Sequence, residues 1–272
     1  SAAFVSYIGP FSSEFRGDLW KEQWLSDIVA KSIPFTQGVD PLFVLSSVSD
    51  QAGWKTEGLP DDRVSLENAS IINSCSRYPL IIDPQLQAVV WIRGREEPNG
   101  LISVVPGNKG WLDKVIRALE EGLPLLLENI KETIEAILDN VVARAYVKKG
   151  LKLQVYLGDR ATDVAIKKDD EGQIIGEGEP LFRLYMQSRL PNPHYIPEIQ
   201  AQTTLVNFTV TEKGLEDQLL STVVGHERPD LLQEQSELVE MQNGFTIKLK
   251  ELSDNLLFLL ATAEGDILAN EE

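Results

Sequence analysis

Apolar positions along this chain fall into short blocks whose period changes several times. Leu19, Trp20, Trp24 and Ile28 lie at helical spacing between Asp18 and Ala30, and Pro34 ends the pattern. Pro41-Leu-Phe-Val-Leu-Ser is short and apolar, and Gly53-Trp54, Gly58 and Pro60 then read as a loop-rich connector. Near Asp61 the texture changes. Arg63 to Ser76 is helical in character, and Pro79-Leu-Ile-Ile-Asp reads as a buried strand. Leu101-Ile-Ser-Val-Val, after Asn99-Gly100, is a second strand. Trp111, Leu112, Val115, Ile116 and Leu119 share one helix face. Leu123 to Leu127 is a third strand. Ile130, Ile134, Ile137, Leu138 and Val141 then recur at near-helical spacing, which places Glu128 and Asn129 at a strand-to-helix junction.

Strict alternation at Leu151, Leu153, Val155 and Leu157, with a turn at Asp169-Asp-Glu-Gly, predicts an inserted hairpin over residues 151–176. Strands at 181–187 and 204–210 bring the count to five. Short strands alternating with helices predict an α/β fold, a three-layer arrangement around a mostly parallel five-stranded sheet. Past Thr211 the pattern is purely helical. Leu215, Leu219 and Leu220 mark one short helix that Gly225 breaks, and Pro229 suits the first turn of the next. Leu231, Leu238, Phe245, Leu252 and Leu259 then recur every seventh residue, with Leu249, Leu256 and Ala263 as a second row. That is a coiled-coil seam, weakened at Asn243-Gly244. The divisions expected are 1–60, 61–211 and 212–272.

Composition narrows the function classes. The net charge is −17, with 25 basic against 42 acidic residues, so nucleic acid and anionic membrane are not expected partners. No apolar run approaches a bilayer span and no leader pattern opens the chain. Cys75 is the single cysteine, which excludes an intrachain disulfide and fits a reducing compartment. A small buried hydrophobe accounts for it better than a nucleophile does. His194 and His226 are the only histidines, too few for a metal cluster or a Ser-His-Asp triad, and no metal site is expected. His194 beside Tyr195 is read as fixing a turn. Gly158, Gly172, Gly176 and Gly178 follow an alternating strand and surround an acidic turn, so they punctuate a hairpin rather than cradle phosphate.

Two strings are idiosyncratic. Residues 82–92 read IDPQLQAVVWI, and residues 191–211 read PNPHYIPEIQAQTTLVNFTVT. On these, and nearly throughout from Phe4 onward, the chain resembles the fifth AAA+ module of the dynein heavy chain, in wording nearest the axonemal type. The resemblance implies an AAA+ large subdomain at 61–211 with the AAA+ strand order. It implies that 1–60 is a leading helix and connector following the stalk, and that 212–272 is a helical small subdomain whose seam begins the buttress, or strut, bracing the stalk. On this reading the chain ends inside that helical hairpin.

A working P-loop needs glycines that let backbone N–H groups approach phosphate, a lysine for the terminal phosphates, and a hydroxyl for magnesium. Between Asp83 and Ile92 none of these occurs. Asp83 would point a negative charge at the anion, and Pro84, Gln85 and Gln87 supply no compensating cation. Glu128 falls on the metal-associated position of the family and Asn129 on the water-activating one, where an amide cannot act as general base. Asn129 also reads as a cap on the helix expected next. Gln187, Ser188 and Arg189 end the strand that carries a polar sensor, and Arg189 is a candidate for an ion pair across a module boundary. No arginine finger stands between Pro197 and Thr203.

The expectation is therefore a non-catalytic, mechanical module of a dynein ring, with no catalytic residue and no cofactor in the module. The implied partners are neighbouring AAA+ modules and the stalk coiled coil, microtubules indirectly, and dynein intermediate and light chains in the parent complex. The implied location is cytoplasm and cytoskeleton, in the axoneme of a cilium or flagellum. The alternative is a regulatory site that holds nucleotide without turnover. A free-standing coiled-coil adaptor would leave 61–211 unexplained.

Overall fold

The computed structural model describes residues 2–34, 40–150, 152–167, 179–210 and 212–262. Five strands build the central sheet: β1 (Tyr78–Ile82), β2 (Ile102–Val104), β3 (Pro124–Leu127), β7 (Arg183–Ser188) and β8 (Thr203–Asn207). Their order is β2-β3-β7-β1-β8 and all four pairings are parallel. That agrees with the expected α/β class and with the large subdomain of an AAA+ module. β4 (Val147–Lys149), β5 (Lys152–Leu157) and β6 (Arg160–Val164) form a separate antiparallel sheet. Among the described residues the insertion therefore has three strands where a two-stranded hairpin was expected, and a tight turn lies at Gly158-Asp159. Leu151 and the turn expected at Asp169 to Gly172 lie outside the described residues, as do Gly176 and Gly178.

Alternation along each strand divides the core in two. Leu80, Leu125, Leu127, Leu184 and Met186 face one layer, while Ile81, Leu126, Tyr185 and Val206 face the other. The second layer is built largely from the first sixty residues and the helices that follow them. α1 (Ala2–Tyr7) supplies Phe4, and buried Ile8 follows it. α2 (Ser13–Asp18) continues through a π-helical turn, Leu19–Trp24, into α3 (Leu25–Ala30), so the helix expected from Asp18 starts one and a half turns earlier. α4 (Pro41–Leu45) and α5 (Val48–Thr56) occupy the region read as connector. The correction has a local cause: Ser47 and Asp50 form a reciprocal capping box that starts α5 and carries it through Gly53 and Trp54. α6 (Arg63–Ser74), capped by Asp62, and α7 (Gln87–Glu96) complete this layer. Trp91 of α7 is fully buried between Trp54 and Phe208, and its indole N–H donates to Glu57.

On the other face, α8 (Trp111–Glu121) buries Val115, Ile116, Ala118 and Leu119. It ends at left-handed Gly122, where the Leu123 N–H donates back to the Ala118 carbonyl. The long helix expected from Ile130 is absent. A short helical turn, Ala136–Leu138, leads into the single-turn α9 (Asp139–Val142). Ile130, Leu138 and Val141 are nonetheless buried, with Ile134 and Ile137 packed against them. Their spacing reflects burial in an irregular segment, which periodicity alone cannot tell from a helix.

α10 (Pro197–Gln202) leads into β8, and α11 (Glu212–Glu227) runs through Gly225 without the expected break. α12 (Pro229–Thr262) begins at Pro229 as expected and stays helical through Asn243-Gly244. Its 34 residues span about 50 Å at 1.5 Å each. α12 lies beside both α5 and α11. Leu238, Phe245, Leu249, Leu252 and Leu256 are exposed along it, and the side chains of Leu231 and Leu259 fall outside the described set.

Candidate functional site

Parallel sheets present their loops for ligand binding at the carboxyl ends of the strands. At that end β1 runs into Asp83-Pro84-Gln85-Leu86 and then α7, the strand–loop–helix arrangement of a phosphate site. Asp83 is fully buried and does not point outward. Its carboxylate turns into the start of α7 and accepts from the backbone N–H groups of Gln87 at 2.9 Å and Val89 at 3.1 Å. These are amides of the kind that bind an anion at a helix N-terminus. The chain thus places its own carboxyl oxygens where a phosphate would meet the helix. Leu86 adopts the left-handed conformation, φ 64°, at a cost of about 1–2 kcal/mol that glycine would avoid. Burial pushes the Asp83 carboxyl above the ordinary range, and the amide bonds pull it back only in part.

Gln187 closes the floor. Fully buried at the end of β7, it donates from its side-chain amide to the Asp83 carbonyl at 2.9 Å and accepts from the Asn129 N–H at 2.9 Å. Its own carbonyl takes the Ile130 N–H, and the Ser188 carbonyl takes the Asp83 N–H. The loops after β1 and β3 are stitched together through β7. Asn129 is exposed and left-handed, φ 59°, and no helix follows it, so the helix-cap reading is incorrect. Both it and Ile130 spend their amides on Gln187.

Glu128 is buried, and one of its carboxylate oxygens accepts from both Ser103 on β2 and Arg93 on α7. The half-exposed Arg93 guanidinium therefore neutralises the carboxylate that was expected at a metal-associated position. The donor set does not fit a nucleotide triphosphate with magnesium: the helix amides are satisfied internally, the acidic side chain is paired, and the loop offers no cation. Pro84 and Gln87 are half-buried, while Gln85 and Arg189 are exposed. Asp83, Glu128, Asn129 and Gln187 are brought together. Arg189 makes no ion pair among the described residues.

Elsewhere, the His194 backbone N–H donates to Glu132 and its ring is exposed, so the main chain holds that turn rather than the imidazole. Cys75 is half-buried, and burial pushes its thiol up to about 11, which keeps it protonated and poorly nucleophilic at neutral pH. No group of metal-ligating side chains occurs among the described residues, and no helix among them is long and apolar enough to cross a membrane.

Sequence reasoning missed one hub. Arg16 is buried and donates to the Phe11 carbonyl at 2.9 Å, the Gly9 carbonyl at 2.9 Å and Asn68 at 2.7 Å, and it pairs with Glu67 at 3.2 Å. Asn68 in turn donates to the Asn207 carbonyl at the end of β8. No periodic or motif signal marks a lone arginine on a polar helix face.

Residues 52–272 match the family described as the ATP-binding dynein motor region. The dynein beta chain of the flagellar outer arm of Chlamydomonas reinhardtii is 47% identical over 272 residues. The ciliary dynein beta chain of Tripneustes gratilla is 46% identical over 270 residues, and human dynein axonemal heavy chain 9 is 44% identical over 269. These alignments take in 98–100% of this chain and 6% of each relative.

Proposed function

This chain belongs to the dynein motor-region family, axonemal type, and from that premise we propose that it is the fifth AAA+ module of a dynein ring, acting mechanically and binding no nucleotide. One observation carries the reading: the Asp83 carboxylate occupies the helix amides that a phosphate would need. Arg93 on Glu128 and Gln187 between the loops support it, because each fixes in one arrangement a group that a nucleotide cycle would have to move.

A module of this kind works by packing between neighbouring AAA+ modules and passing ring movement on. α11 and α12 are the elements assigned to the small subdomain and the buttress, and the exposed row Leu238, Phe245 and Leu252 is the surface offered to a stalk helix. The coupling requires an element with two arrangements that both ends bias. That element is the register of the helix pair the buttress touches. Microtubules, intermediate chains and light chains are then partners of the parent heavy chain, in the axoneme. The burial of Phe4, Ile8, Leu42, Trp54 and Leu59 in the sheet's core argues that the segment arriving from the stalk moves with the module as one body.

Native mass spectrometry of the protein purified without added nucleotide tests the proposal. The bare polypeptide mass is expected. A stoichiometric ADP or ATP adduct would favour the alternative, a regulatory site that holds nucleotide without turnover.

A further inference from the structure

At the opposite end of the sheet, about 16 Å from Asp83 along β1 at roughly 3.3 Å per residue, a cleft of about 700 Å³ opens beside the first residues of β1 and β7. Its lining inverts the charge of the molecule. Among the described residues, Arg77, Arg95, Arg144, Lys167 and Arg183 line it with Glu179 as the one acidic residue, in a chain with 42 acidic residues to 25 basic.

The five are not equally committed. Lys167 pairs with Glu179 at 3.1 Å, and Arg183 reaches the buried Glu96 at 2.9 Å. Arg95 donates to Asn73 at 2.8 Å, a neutral partner. Arg144 lies over the Tyr78 ring at 4.3 Å, which fixes the guanidinium without neutralising it. Arg77 is exposed and pairs with nothing among the described residues. Arg77 and Arg144 therefore lack an acidic partner among the described residues, Arg95 shares its field with the Glu57 carboxylate, and Arg95 and Arg144 are held in place.

We propose that this cleft binds an acidic peptide segment of a partner protein, with carboxylates on Arg77, Arg95 and Arg144. Guanidinium groups receive carboxylates through paired N–H donors. A compact polyphosphate fits less well. The cleft lies beside the C-terminal end of α6, whose partial charge is negative, and has no helix N-terminus aimed into it. The cations are spaced along the walls among Pro79, Pro180 and the exposed Leu181, which suits an extended chain with apolar residues between its acids.

Fluorescence anisotropy with a fluorescein-labelled peptide of sequence EELEEL, at low salt, tests this. Saturable binding is expected despite the net repulsion, weakened about threefold by Arg77→Glu and at least about tenfold by Arg77→Glu with Arg144→Gln. Arg117→Glu, outside the cleft, should change nothing. Arg77 is exposed and has no ion-pair partner among the described residues, so its variant keeps the fold, and circular dichroism checks the double variant. Absence of binding, or binding indifferent to Arg77→Glu, overturns the proposal. Displacement of the peptide by equimolar pyrophosphate also overturns it, since the site would then be one for phosphate.

Discussion

Arg16→Met is the sharpest test of how the first sixty residues join the module. The guanidinium is 3% exposed and meets four partners from two segments of chain. Removing it leaves the Phe11 carbonyl without its donor, the Gly9 carbonyl with the Asn207 N–H alone, and Glu67 buried with only Arg63, at 2.9 Å, to balance it. Breaking a buried pair on one side costs about 3–5 kcal/mol. The remaining Arg63 contact, made by a largely exposed side chain, offsets part of this, so about 3 kcal/mol is expected. Domains are stable by only about 5–15 kcal/mol, so the loss is large. Urea denaturation followed by tryptophan fluorescence measures it. Because Trp54 and Trp91 lie in the same core layer, the transition should stay single and shift to lower urea. The double variant Arg16→Met with Glu67→Met should recover at least about 1 kcal/mol, because the stranded charge is gone. A loss below about 1 kcal/mol for Arg16→Met, or a first transition leaving the sheet intact, would show that residues 1–60 are an appendage.

Three further outcomes are expected. Leu126→Ala, in a fully buried central strand, should cost about 2–5 kcal/mol, and a loss under about 1 kcal/mol would contradict that placement. Asp83→Asn tests the burial of this carboxyl by pH: because burial raises the folded pKa, the wild-type carboxyl contributes stability that is present below the ordinary carboxylate range and lost as pH rises through the raised value. The stability of wild type relative to the variant should therefore fall from about pH 4 upward in urea titrations, and a relative stability that rises with pH refutes the raised pKa. The exposed row of α12 should make the isolated chain self-associate in analytical ultracentrifugation and Leu252→Lys should abolish it, and a monomeric wild type or an unchanged profile would mean that the row is not an adhesive seam.

The sheet was legible because proline-bounded apolar runs such as Pro79 to Ile82 admit few other readings, and Pro229 marked the start of α12 correctly. What escaped was set by contacts distant in sequence. Asp83 was read as facing an anion, and only the fold shows it turned onto the amides of α7, although an acidic residue just ahead of a helix is itself a capping signal. The segment after Asn129 looked helical because its apolar residues are buried against the sheet and the inserted strands, which impose the same spacing. Gln187 was noted at the end of its strand, but its bond to Asp83 spans 104 residues. Arg16 and Glu67 are 51 apart.

The central claim, that an internal carboxylate occupies the phosphate position, is tested most directly by isothermal titration calorimetry with MgATP and MgADP. The account predicts no saturable heat up to millimolar ligand for the wild-type protein. A one-to-one isotherm with a Kd below about 1 mM, corresponding to about 4 kcal/mol of binding, would contradict it.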